Sequence, residues 1–455
     1  MRTTPLALCV LFVAVAATAT SAGEGGKELV ANGDFAAAGN ADLPAGWSLW
    51  TPLCASAAVT VSRTPKGLLV ESPNEPYGVG GVTQTLAGVE GGRAYAVEAA
   101  CDLRNIPSPL RAVNVRLLWM SGKKQLHPAG MLVHGPVVEA GKATFRDVLV
   151  APPEADAATI TLEVKWPEGG SVLFRRVSVR PTDAPPPRKV KVGAVYLRPA
   201  NSTPEKNMDL WCAKVDEAGK LGLDFVCLGE AILAVGTRAT GVDVAEAIPG
   251  PSTERLGAAA KKNRVWVVAG LYERAGSRIY NTAVLLDRDG RLAGKYRKVH
   301  LPREEWTKGI TPGTEYPVFK TEFGTIGIQI CYDWFFPEAA EIFALKGAEI
   351  LFAPTWGDTA PDADGRAQGE TVFRTRARDN GLYLVPCVYD GSSMVIDPMG
   401  RMLASSKGPA EGVYWSEIDR AKREPLLWVG YWRFIGPRDR MPETYAPLVG
   451  RSAQP

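Results

Sequence analysis

Two kinds of hydrophobic periodicity divide the chain. From about residue 29 to 181, apolar and polar positions alternate over short runs: Gly81–Leu86, Ala94–Ala99, Val113–Trp119, Ala158–Val164 and Ser171–Val179, separated by Gly, Pro and Asn. A period of two puts alternate side chains on one face, so each run reads as a strand covered on one side. Several such strands in succession predict an all-β sandwich. The Pro-rich segment Thr182–Arg188 reads as a stiff linker. From Lys189 to about 425, strand-length apolar runs alternate with longer segments of helical spacing. Strands are predicted at Val190–Leu197, Leu223–Leu228, Val265–Gly270, Thr325–Cys331, Glu349–Ala353, Leu382–Tyr389, Met394–Asp397 and Val413–Ile418. Helices are predicted at about 205–220, 252–263 (capped near Ser252), 337–346 and 367–380, and Asn281–Tyr296 reads as a hairpin turning at Asp289-Gly290. This alternation predicts an α/β domain whose strands are covered on at least one face. Residues 426–455 form a C-terminal extension. With Trp428, Tyr431, Trp432 and Phe434 it is apolar enough to dock on a neighbour or on its own domain.

The first residues carry a different pattern. Arg2 precedes an apolar stretch, Pro5–Ala17, and the small residues Thr20-Ser21-Ala22. That is the order of a cleaved signal peptide over residues 1–22. The stretch is shorter than the roughly 20 apolar residues a membrane span needs. The mature protein is therefore expected to be secreted or periplasmic, with no membrane segment after cleavage. Cys9 would leave with the signal. Cys54 and Cys101 then fall in the first domain and can pair, while Cys212, Cys227, Cys331 and Cys387 fall in the second.

Composition excludes several chemistries. A formal charge of +3 is too small over 455 residues to imply a nucleic-acid partner, and no basic run tracks phosphates. With only three histidines (His127, His134 and His300), HExxH is absent, as are CxxC, GxSxG and Walker A patterns. No metal or organic cofactor is implied.

Three polar residues stand at or just beyond strand ends, where α/β folds place their sites. Glu230 ends Phe225–Glu230, Lys298 lies in Lys295–Leu301, and Cys331 ends its own apolar run just ahead of a helix start at Pro337-Glu338. A thiol there, facing backbone N–H groups, is expected to favour the thiolate. Singly, each residue is ordinary: such a Glu or Lys is usually solvated, and a Cys in an apolar run is usually inert. Together they can perform acyl transfer without histidine. The carboxylate takes the thiol proton, while the ammonium and the N–H following the cysteine hold the oxyanion.

The motifs resemble the nitrilase, or carbon–nitrogen hydrolase, superfamily over about residues 190 to 420. Glu230, Tyr296-Arg-Lys298-Val-His-Leu301 and Gly327-Ile-Gln-Ile-Cys331-Tyr-Asp-Trp-Phe-Phe-Pro-Glu338 stand in family order. Gly270–Glu273, Tyr280–Val284, Ala353–Trp356, Arg376–Asn380 and Ile396–Gly400 support the match. The resemblance implies an αββα four-layer sandwich and a catalytic triad of Glu230, Lys298 and Cys331. It implies a second glutamate, Glu273, bracing the lysine and the substrate, and Trp356 and Tyr332 at the substrate. It also implies assembly as a homodimer or larger homo-oligomer. Tyr332-Asp333 is similar to the amidase branches rather than to true nitrilases. Hydrolysis of a non-peptide amide or carbamoyl amide is thus expected, ahead of N-acyl transfer or nitrile hydrolysis by the same triad. Gly229 departs from a common Pro and is expected to loosen the backbone of the base, Asp379 stands where Glu is common, and the Ala231–Pro251 insert should shape the pocket rim. The segments Glu28–Phe35 and Leu43–Ser48 resemble the start of galactose-binding-like jelly rolls found in carbohydrate-binding modules. Trp47, Trp50, Trp119 and Trp166 are then sugar platforms or, as the preferred reading, core. From a different class, a glycan-binding protein with an inactive hydrolase domain is the rival reading.

Overall fold

The computed structural model describes residues 26–39, 43–72, 75–357, 365–366, 369–406 and 410–450. The signal peptide expected over residues 1–22, with Cys9, lies outside them. So does most of the loop that follows Gly357. The chain divides between Pro185 and Pro186 into two units, each with its own core.

The first unit holds two antiparallel sheets. One runs Ser48–Trp50, Val79–Ala87, Ala157–Lys165, Val113–Ser121, Lys124–Gln125, with Met131–Leu132 also on Val113–Ser121. The other runs Thr60–Thr64, Gly67–Glu71, Ser171–Thr182, Ala94–Arg104, Lys142–Val150, Val137–Glu139. The five alternating runs all fall inside strands. Lys142–Val150 escaped notice because Arg146 and Asp147 stand together and break its alternation. Alternate side chains of both sheets, among them Val70, Val97 and Phe174 against Val82, Val115 and Ile160, form one core. Trp47 and Trp119 are buried in it, packed on Phe35 and Tyr95 at ring distances of 5.4 and 5.7 Å. Trp50 and Trp166 stay partly exposed. Cys54 is exposed and Cys101 buried in this core, and every cysteine among the described residues is free.

The second unit repeats one plan twice. Strand β1 (Lys189–Tyr196) leads through helix α1 (Pro204–Lys220) to β2 (Phe225–Cys227), then through α2 (Pro251–Asn263) to β3 (Trp266–Ala275). These three strands are parallel, and β4 (Arg278–Leu286) and β5 (Leu292–Arg297) extend them as a hairpin. The second half has β6 (Val318–Thr321), β7 (Gly324–Ile328), α3 (Pro337–Leu345), β8 (Ile350–Gly357), α4 (Glu370–Asn380), β9 (Tyr383–Asp390), β10 (Met394–Ile396) and β11 (Met402–Ser405). Here β7, β8 and β9 are parallel. A final strand, β12 (Gly412–Asp419), returns antiparallel to β1, giving sheets in the order β5-β4-β3-β2-β1-β12 and β6-β7-β8-β9-β10-β11. The parallel strands are apolar on both faces, as burial on both sides requires. One face of each sheet meets the other sheet, with Phe225 5.4 Å from Phe352. Helices α1 and α2 pack together, as do α3 and α4.

Local chemistry sets the helix starts. The Thr203 hydroxyl accepts from the Lys206 N–H at 3.2 Å ahead of Pro204, which opens α1. Helix α2 starts one residue earlier than expected. Gly250 is its cap, tied by the Thr253 hydroxyl at 2.8 Å, and Ser252 is already inside. The C-terminal extension packs at least partly on its own unit. Helix α5 (Trp432–Asp439) lies on α4, with the Trp432 indole N–H donating to the Asp379 carbonyl and Arg433 donating to Gly347 O at 3.3 Å.

Candidate functional site

The candidate residues come from the ends of parallel strands and the loops beside them. Glu230 lies three residues beyond the end of β2 and is 3% exposed; the next residue, Ala231, holds φ +50°. Lys298 leaves β5, is 1% exposed, and donates its N–H to Asn281 O at 2.8 Å. Cys331 departs from expectation in two ways. Strand β7 ends at Ile328, so the cysteine does not sit on a strand tip but opens a short 3-10 turn, Cys331–Phe335, at φ +41°. A non-glycine residue there is strained and must be held by its surroundings. Buried Asp333 does the holding. Its carboxylate accepts from the Ile330 N–H at 3.0 Å, the Tyr296 hydroxyl at 2.7 Å and the His300 N–H at 3.0 Å. The His300 ring, 2.8 Å from the same carboxylate, stacks on Phe336 at 3.9 Å, which makes it part of this frame.

Glu230, Lys298 and Cys331 line one cavity of about 450 Å³, with Tyr332 and Trp356 on its wall. The Lys298 ammonium lies 2.9 Å from Glu230 Oε1 and 2.7 Å from Oε2 of Glu305, a residue of the short helix Arg303–Trp306. The Asn281 side-chain amide donates to both carboxylates, and the Trp356 N–H donates to Glu230 Oε2 at 2.7 Å. Burial works against the ammonium of Lys298, but Glu230, Cys331 and Glu305 outweigh it and hold the lysine charged well above its ordinary range. Burial, eased by Lys298, pushes the Glu305 carboxyl up.

The thiolate expectation is overturned. Cys331 keeps some exposure where the cavity reaches it, yet desolvation, and then the Glu230 carboxylate, push its thiol up to about 12. Lys298 and the N–H groups of Trp356 and Gly357 oppose this without reversing it. The field of one helix start is short-ranged and loses to burial beside an anion.

Glu273 is the second correction. It does not reach Lys298 and does not line the cavity. Its carboxylate is taken up by Lys295 at 2.6 Å, Arg297 at 2.7 and 2.8 Å, and the Thr282 hydroxyl at 3.0 Å. The lysine's second carboxylate is Glu305. Nothing in Pro302-Arg-Glu-Glu305 separates it from its exposed neighbour Glu304; only the loop's path back over Lys298 does. Burial alone would raise Glu273, but Arg297, Lys295 and Thr282 hold it at about 2. A depressed carboxyl stabilises the fold fully above its unfolded value of 4.5, and this is lost as pH falls through about 2. Glu273→Gln should therefore lower stability at neutral pH by about 1–3 kcal/mol, with turnover within about threefold of the parent. The gap between the two urea melts should close as pH falls from 4.5 towards 2.

A third correction concerns Gly229, which does not loosen the base. The Gly229 carbonyl accepts from the Gly270 N–H at 2.9 Å, and the Glu230 carbonyl accepts from the buried Tyr389 hydroxyl at 2.6 Å. The insert from Ala231 is anchored by Asn207, which donates to Ile232 O and Val235 O at 3.1 and 2.7 Å, and by the Trp211 indole on Ile232 O at 3.1 Å. Its Gly241 and Val242 line the cavity together with Pro302 and Ile310. Among the described residues, no group of three or more His, Cys, Asp or Glu side chains could hold a metal ion.

Known proteins match the second unit. The family model described as carbon-nitrogen hydrolase matches residues 191–426. The chain is similar to omega-amidase NIT2 of Mus musculus, with 32% identity over 241 residues, which is 49% of this chain and 86% of that protein. It is similar to a citrullinase of Francisella tularensis, with 31% identity over 212 residues, 42% of this chain and 72% of that protein. Among solved structures, a carbon-nitrogen hydrolase from Helicobacter pylori G27 matches 58% of this chain and 99% of its own, at 26% identity and a TM-score of 0.47. The family match covers the whole segment that carries Glu230, Lys298 and Cys331, and on it the chain belongs to the carbon–nitrogen hydrolase family.

Proposed function

We propose that the chain is an exported amidase that opens the C–N bond of a non-peptide amide or carbamoyl amide through a thioester on Cys331. One observation carries the reading: a fully buried lysine ammonium clamped between Glu230 and Glu305, on the wall of a cavity that also holds the cysteine. With its pKa pushed up by burial and by the Glu230 carboxylate, the thiol keeps its proton at neutral pH. A base must therefore take the proton as sulfur attacks, and Glu230 is that base. The S–C bond forms, and the carbonyl electrons move onto oxygen, where the Lys298 ammonium and the Tyr332 N–H receive the charge. Collapse breaks the C–N bond, and nitrogen leaves as ammonia or an amine with the proton from Glu230. Water, losing a proton to Glu230, then opens the thioester to release the acid and restore the thiol. Relatives named omega-amidases support an amide as substrate, and Tyr332-Asp333 favours an amide over a nitrile.

The remaining parts of the proposal rest on particular features. The two helix pairs beside two facing sheets support a four-layer αββα sandwich, and two antiparallel sheets over one core support a jelly-roll-like module before it. Export rests on residues 1–22 and is checked by the N-terminal sequence of the protein recovered outside the cytoplasm. Glycan binding by the first unit would fall to the partly exposed Trp50 and Trp166, and a glycan array with the full chain tests it. Homo-oligomer formation is supported by Leu427, Trp428, Leu448 and Val449, which stay exposed near the C-terminus, and is read by sedimentation.

The deciding experiment exposes the protein to short amides, carbamoyl amides and nitriles, quenches with acid and weighs the intact chain. The reading expects release of ammonia or amine with an acyl adduct on Cys331. Release from no substrate class, with no adduct on Cys331, rejects it.

A further inference from the structure

Tyr389 lies on β9, outside the cavity, and is buried to the hydroxyl. That hydroxyl donates at 2.6 Å to the backbone carbonyl of Glu230. The acceptor belongs to the peptide that enters Ala231, a residue at φ +50°, in the left-handed region that a residue with a Cβ occupies only at a cost. The same ring meets the Trp356 indole edge to face at 5.6 Å, and the Trp356 N–H holds Glu230 Oε2 at 2.7 Å. One side chain thus holds the backbone of the base directly and packs on the residue whose N–H holds its carboxylate. Room for it exists only because residue 229 is glycine. A Cβ there would lie 2.0 Å from the Tyr389 hydroxyl oxygen and 2.2 Å from the ring carbon that bears it.

We infer that Tyr389 is a positioning residue for Glu230: its hydroxyl fixes the strained Glu230–Ala231 peptide and so aims the carboxylate at Cys331, in a space that Gly229 leaves open. The inference rests on the reading of Glu230 as the base. It assigns Tyr389 no contact with substrate. A carboxylate displaced by about an ångström transfers protons poorly although substrate still binds, so the loss belongs in kcat and not in KM.

The experiment uses Tyr389→Phe in the full chain. This keeps the ring and its contacts with Trp211 and Trp356 and deletes only the hydrogen bond. Folded protein is counted by circular dichroism, and two rates are measured: amide turnover and alkylation of Cys331 by iodoacetamide. Alkylation needs the thiol proton removed but no amide turnover, so it reads the inference even if the parent hydrolyses no amide. Tyr389→Phe should lower kcat and the alkylation rate by about 10- to 100-fold, with KM within about twofold. Adding Ala231→Gly, which takes positive φ without strain, should recover a good part of both rates. A residue that served only general packing would not be rescued at this one peptide. Alkylation within about twofold of the parent, or a loss that Ala231→Gly leaves unchanged, overturns the inference.

Discussion

Cys331→Ala is expected to remove amide turnover to background, a fall of at least about 10⁴-fold, while the protein stays folded. Among the described residues that line the cavity, Cys331 supplies the sulfur that forms the covalent intermediate in the proposed mechanism, and neither Lys298 nor Glu230 replaces it. Binding should survive, because Tyr332, Trp334, Phe335 and Trp356 still line the cavity. Calorimetry with the slowest amide of the parent should give a dissociation constant within a few-fold of the parent's. The substitution also reports on the thiol itself. Its folded value, near 12, lies above the unfolded 9.0, so the folded state holds the proton more tightly. Its contribution to stability is complete below pH 9 and is lost as pH rises through 12. Cys331→Ala lacks that loss, and its melting temperature should gain on the parent's between those values. Persistent turnover would remove Cys331 from the mechanism, and parallel alkaline melts would contradict the raised thiol.

Lys298→Met should be costly twice over. It deletes the cation that receives the oxyanion in the proposed mechanism, a loss of about 10²–10³ in kcat by itself. It also leaves Glu230 and Glu305 facing one another through Asn281 with no buried cation between them. Removing one partner of a buried charge cluster costs about 3–5 kcal/mol, much more than a surface lysine is worth. Urea melts of the single variant and of Lys298→Met/Glu305→Gln separate the two effects. The double variant sheds one stranded carboxylate and should regain much of the stability while kcat stays low. A single variant that melts within about 1 kcal/mol of the parent would contradict the clamp.

The strands were legible because covered faces impose a period: alternation in the first unit, and largely apolar runs in β3, β8 and β9 of the second. Short edge elements such as β6 and β11 were not, having too few residues to show any period. The site was legible where its residues sit in contiguous blocks, as around Cys331 and Lys298. Glu305 escaped because its role depends on a loop folding back over Lys298, and Asn281 because its side chain, on β4, meets Glu230 and Glu305 only in the folded sheet. Glu273 misled because a glutamate at the right distance along the chain points into another cluster, where Lys295 and Arg297 claim it.

The chain by itself determined the element types, the division near its run of prolines, and the three residue types brought to one cavity. These follow from side-chain periodicity and from short-range backbone preference, which act over a few residues at a time. Tertiary structure alone decided the charge states and the aim of the groups. Desolvation and neighbouring charges turned an expected thiolate into a thiol near 12, kept Lys298 an ammonium, and replaced Glu273 by Glu305. A hydroxyl from β9 took hold of a peptide 159 residues away along the chain. Electrostatic energies at such a site are summed over residues distant in sequence, and their sign is set by how much water the packed structure leaves between them.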